Sequence, residues 1–79
     1  MSAPKITDLK PGTVAVLVAI EGDRQLVERL GEIGFVQGET ILFHRRLVFN
    51  GPLILEVRGV PVALRAEEAS CLQVRVTRT

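Results

Sequence analysis

A chain of 79 residues has room for one domain and one compact core, since at this size folding removes only about 60% of the unfolded chain's surface from water. Hydrophobic residues make up 47% of it and aromatics only 4%, so the core has to be built from Val, Leu, Ile and Ala, and the composition excludes a disordered segment. Ten Lys and Arg against nine Asp and Glu, scattered along the chain, give no field fit to grip a polyanion, and the lone Cys71 permits neither an internal disulfide nor a four-cysteine zinc site.

Leu9-Lys10-Pro11-Gly12 reads as a turn, with Pro pre-set for the second position and Gly free to take positive φ. Thr13 to Ile20 follows, almost wholly apolar and rich in Val. Val14, Val16, Val18 and Ile20 fall on one side and Ala15, Leu17 and Ala19 on the other, which predicts a central strand covered on both faces. Glu21-Gly22-Asp23 breaks the run, and Asp23 suits the N-cap of a helix over about residues 23–33. There the period changes: Leu26, Leu30 and Ile33, joined by Val27, make an apolar stripe, while Arg24, Gln25, Glu28, Arg29 and Glu32 fill the remaining arc. Gly34 stands where a left-handed residue ends such a helix.

Thr40 to Arg46 alternates, with Ile41 and Phe43 on one face and Leu42, His44 and Arg46 on the other. Asn50-Gly51 signals a hairpin, so the chain reverses between Leu47 and Pro52 and returns along Leu53 to Val57. Arg58-Gly59 turns it again into Val60 to Leu64, where Pro61, lacking an amide proton, calls for an edge position. Residues 66–70 suit one helical turn, and Leu72 to Val76 alternates as a last strand, leaving Thr77-Arg78-Thr79 to fray. The sum is a mainly β fold: a small, partly open barrel of five antiparallel strands, with one inserted helix that plugs an open end. All 79 residues belong to this one domain.

The order of these elements resembles the FeoA family. The resemblance rests on Leu9-Lys10-Pro11-Gly12, on Arg29-Leu30-Gly31-Glu32-Ile33-Gly34-Phe35 with Gly38, and on Val57-Arg58-Gly59-Val60-Pro61-Val62-Ala63-Leu64-Arg65 leading to Glu68-Ala69. It spans nearly the whole chain. Where family members often carry Pro, this chain has Gln37, and Phe49-Asn50 replaces a Pro and an acidic residue in the hairpin loop; both departures touch loops. The resemblance implies an SH3-like barrel that acts as a small accessory of ferrous-iron uptake, beside the FeoB-type membrane transporter and its cytoplasmic GTPase region.

Residue chemistry points the same way. One His and one Cys with no motif joining them supply no nucleophile or acid–base pair, so no catalytic or cofactor site is expected and the chain is not read as an enzyme. His44, Cys71, Glu67 and Glu68 are the candidate metal ligands, each weighed against ordinary surface or packing, with adventitious divalent binding as the most they support. For a partner, the candidates are Arg46, Leu47, Val48 and Phe49 near the hairpin tip and Arg24 and Arg29 on the helix. Three large apolar residues at a tip need a lid role or a partner.

The N-terminal residues lack the apolar core of a signal peptide, and the run from Val14 to Ile20 is too short to span a bilayer, so the expected place is the cytoplasm, without membrane insertion. Weak self-association stays open. The alternatives are a nucleic-acid-binding small barrel, disfavoured by near-neutral charge and few stacking aromatics, and an iron chaperone, for which three ligands cannot be assembled.

Overall fold

The computed structural model describes residues 4–48 and 51–78. A 3-10 turn, Ile6–Asp8, precedes strand β1 (Val14–Ile20), helix α1 (Arg24–Ile33), β2 (Thr40–Arg46), β3 (Leu53–Val57), β4 (Val60–Leu64), the short helix α2 (Ala66–Ala69) and β5 (Leu72–Arg78). All five strands form one antiparallel sheet in the order β4-β3-β2-β1-β5. Its inner face closes on one core that includes Ala15, Leu17, Ile41, Phe43, Leu55 and Val74. The fold is mainly β, as the strand pattern predicts, and β4, which carries Pro61, is an edge.

Local chemistry sets the boundaries. The Asp23 carboxylate accepts a hydrogen bond from the Leu26 N–H at 2.8 Å, satisfying one of the orphan donors that every helix start leaves. At the other end Gly34 adopts φ +129° and donates its N–H to the carbonyls of Leu30 and Gly31. A side chain there would meet Val57 and Arg58 at 3.5 Å, so α1 ends against the β3–β4 turn. Its first turn lies by the start of β5, where Gly22 faces Leu26 and Cys71. The helix thus covers one end of the curled sheet. Ile6 of the 3-10 turn is buried as well, and its neighbour Thr7 accepts from the Arg46 guanidinium at 3.3 Å.

Four expectations need correcting. β1 is central but covered on one face only: Ala15 and Leu17 are buried, Val14 and Val16 half-buried, and Val18 is 36% exposed. A chain this short has a single core and no second layer for the outer face. Arg46 does not share a face with His44. A β-bulge between Phe43 and Arg45 makes His44 the extra residue, and the slip places Arg46 opposite the buried Leu53; one inserted residue reverses every later side chain. The helical stripe is unequal too, with Leu30 buried, Leu26 and Val27 half-buried and Ile33 41% exposed. Finally, Thr77 and Arg78 do not fray. They extend β5, where Arg78 pairs with Val14 and the Thr77 hydroxyl donates to the Val14 carbonyl at 3.1 Å. Thr79 lies outside the described residues.

Candidate docking surface

The four candidate metal ligands do not meet. His44 sits on the outer face at the bulge, its Nε2 3.0 Å from Glu56 Oε1. Glu67, Glu68 and Cys71 lie together at the far end of β4, on and just after α2. There the Glu68 carboxylate takes two hydrogen bonds, from the Arg29 guanidinium at 2.8 Å and from the Arg65 N–H at 2.9 Å. The Cys71 thiol points at the Glu67 carbonyl at 3.5 Å. Among the described residues no three His, Cys, Asp or Glu side chains converge on a point. Between α1 and α2 lies an open cleft of about 250 Å³ lined by Asp23, Gln25, Leu26, Arg29, Glu67 and Glu68. Three of its four charged residues are already engaged, Arg29 with Glu68 and Asp23 with the helix start, which among the described residues leaves the Glu67 carboxylate alone on its wall.

The candidate partner residues separate into three groups. Arg46 is half-buried and tied to Thr7, so it serves the fold as a strap between β2 and the N-terminal turn. At the hairpin tip Leu47 is half-buried while Val48 is 82% exposed; Phe49 lies outside the described residues. On α1, Arg24 pairs with Glu28 at 3.4 Å and Arg29 with Glu68. The first is a solvated i,i+4 pair worth a few tenths of a kcal/mol, roughly 0.3–0.5. The second joins the two helices.

The most distinctive surface feature was not among the sequence candidates. Between α1 and the upper half of β1 runs an apolar groove of about 460 Å³, lined by Val18, Ala19, Ile20, Val27, Gly31, Phe35, Val36 and Gln37. Phe35 is buried and forms part of its base, whereas Val18 and Val36 are 36% and 43% exposed. No charged side chain lines it. Such a surface offers mainly apolar contact to another apolar surface. Two signals in the sequence could have found it: a doubly apolar β1 with too little chain to cover it twice, and a glycine inside the last turn of a helix, ahead of the Gly34 that ends it.

The FeoA-domain family model matches residues 5–76. The chain is 31% identical over 72 residues to a fusion of Fe(2+) transport protein A with the Fe(2+) transporter FeoB from Porphyromonas gingivalis, a match covering 91% of this chain and 8% of that protein. Thus it spans only a small part of that relative. Among solved structures, FeoA from Stenotrophomonas maltophilia, complexed with zinc and described as a prokaryotic SH3 domain protein, superimposes with a TM-score of 0.79 at 30% identity, covering 92% of this chain and 91% of that one. A crystal structure of an iron uptake regulatory protein, FeoA, gives a TM-score of 0.84 at 26% identity, covering 96% and 99%.

Proposed function

From the premise that this chain belongs to the FeoA family, a family associated with ferrous-iron transport, we propose that it works as a non-enzymatic accessory that docks on the cytoplasmic region of a FeoB-type transporter. The observation that carries this reading is the relative in which a matching segment and FeoB form one polypeptide. Two modules joined in one chain in one organism are natural binding partners when separate in another. The apolar groove beside β1 supplies the kind of surface such docking needs.

Magnitudes favour an assisted encounter. Even a patch of about 300 Å², the low end for the largest apolar patch on a typical monomer, yields only about 7.5 kcal/mol when covered, at roughly 25 cal/mol per Å², and this groove of eight mostly small residues exposes less. Association costs on the order of 4–15 kcal/mol, so the groove alone holds a partner weakly. A tether or a second contact raises the effective concentration into the millimolar range, which is what fusion accomplishes.

The test is a calorimetric titration of the full domain against the transporter's cytoplasmic region, with and without guanine nucleotide. Binding in at least one nucleotide state is expected. No heat and no complex in either state would defeat the proposal.

A further inference from the structure

We propose that the groove takes a short, extended, apolar segment of the partner, which adds as a strand beside the Val18–Ile20 half of β1, and that Gly31 is left bare to admit it. This rests on the docking reading above and specifies the form of the ligand.

The shape of the slot comes from incomplete pairing. β2 pairs with β1 from Val14 to Val16, and the loop before it adds two bonds at Leu17, from the Leu17 N–H to the Glu39 carbonyl and from the Gly38 N–H to the Leu17 carbonyl. Beyond Leu17, β1 continues to Ile20 on β5, but among the described residues it has no backbone partner on the β2 side. Glu21 donates its N–H to the Cys71 carbonyl. Because successive residues of an antiparallel strand turn their N–H and C=O to opposite sides, the Ile20 amide group therefore faces away from β5 and into the slot. Across the slot stand Val27 and Gly31. The geometry is that of a strand position left vacant, which is the arrangement used in strand addition.

Gly31 gives the second observation. Gly31 stands in the last turn of α1, three residues before the Gly34 that ends it, and glycine within a helix weakens it relative to alanine, so it needs a reason. Among the described residues no close contact supplies one, since a Cβ built on Gly31 meets nothing within 4 Å. The bare position widens the groove wall, and only a visiting chain gains from that.

A second copy of the domain does not suit. Three strand residues at about 3.3 Å each make a slot roughly 10 Å long and one strand spacing, about 4.8 Å, wide, so its footprint of roughly 50 Å² is far short of the roughly 800 Å² per partner that an independent interface needs. A short segment of a larger, otherwise tethered protein does suit. Along the outer rim of α1, Glu28 is paired with Arg24, whereas Glu32 makes no ion pair among the described residues. The segment should therefore carry a basic residue at that end, next to apolar ones.

The experiment measures binding of the transporter's cytoplasmic region to the wild-type domain and to Gly31→Leu, Gly31→Ala and Val18→Thr, together with amide hydrogen exchange in the free and bound domain. Gly31→Leu should raise Kd at least tenfold without lowering the thermal midpoint. Gly31→Ala should bind more weakly while melting higher. The Ile20 amide should exchange at least tenfold more slowly in the complex. If Gly31→Leu misfolds, Val18→Thr, which conserves shape and adds one hydroxyl, should still weaken binding several-fold. Unchanged affinity in all three variants would overturn this inference while leaving the docking function standing. Lost affinity without slowed exchange at Ile20 would overturn the strand geometry. Failure of the wild-type domain to bind would overturn the docking reading itself, and this inference with it.

Discussion

Replacing Leu30 by alanine should separate the two parts of this fold. Leu30 is 1% exposed and is the one buried residue of α1, so it anchors the helix over the end of the sheet. Truncating a buried leucine costs about 2–5 kcal/mol, from lost transfer energy and the cavity that remains. At about 0.05–0.15 kcal/mol per residue, a domain of 79 residues has roughly 4–12 kcal/mol in all. A loss near 3 kcal/mol would lower the thermal midpoint by about 12–24 °C, at roughly 4–8 °C per kcal/mol for a domain this small. Ile33→Ala is the matched control: it lies on the same helical stripe but is 41% exposed, so it should cost under about 1 kcal/mol. Thermal and urea melts followed by circular dichroism read both variants. Equal losses for the two would refute the claim that the helix is held through Leu30, and so would a loss below about 1 kcal/mol for Leu30→Ala.

Asp23→Ala removes the acceptor for the Leu26 N–H and should cost about 1 kcal/mol in a urea melt, whereas Asp23→Ser should retain most of the cap. Arg58 holds φ +56° in the β3–β4 turn, next to Gly59 at φ +80°; Arg58→Gly relieves a left-handed residue and should be neutral or stabilising by up to about 1 kcal/mol, while Gly59→Val should lower the midpoint clearly. Because His44 is held by Glu56 on one face and Cys71, Glu67 and Glu68 gather elsewhere, anaerobic titration with ferrous ion should show no saturable binding in the micromolar range, and a stoichiometric isotherm would require a ligand set drawn from two copies or from a partner.

The sequence was most legible where one residue controls one local event. Asp23 through its carboxylate, and Gly34, Pro61 and the Arg58-Gly59 pair through their own backbone, each act locally, and the elements begin and end beside them as expected. Strand alternation was less secure. It assumes an unbroken register, and the bulge at His44 breaks it, so a run that alternates on paper turns Arg46 toward the interior end of the sheet. Nothing within Phe43-His44-Arg45-Arg46 marks that insertion; it is set by how β3 returns. The even reading of the α1 stripe failed for a related reason. Periodicity says which side of a helix faces inward, but the depth of each position depends on where the helix crosses its neighbours. Ile33 lies past the rim, near the turn where Gly34 meets Val57 and Arg58.

The candidate residues for function were chosen by chemistry, as charged groups and large tip side chains, and that choice passed over the groove, whose members are small and neutral. The reason lies in how α1 is inserted. The chain leaves the sheet at Ile20 and re-enters it at Thr40, so beside the last residues of β1 helix α1 stands across a gap where β2 would otherwise continue. A helix with its side chains is about 10–12 Å across, while neighbouring strands stand only about 4.8 Å apart. The helix axis must therefore stand off from β1, and large side chains on its near face could fill the difference. This chain puts Val27 and Gly31 there, with Val18 opposite and Phe35 beneath. The opening thus follows from side-chain size at a few positions and not from the fold as such. A related chain with leucine or phenylalanine at the places of Val27 and Gly31 would keep the same sheet and lose the groove.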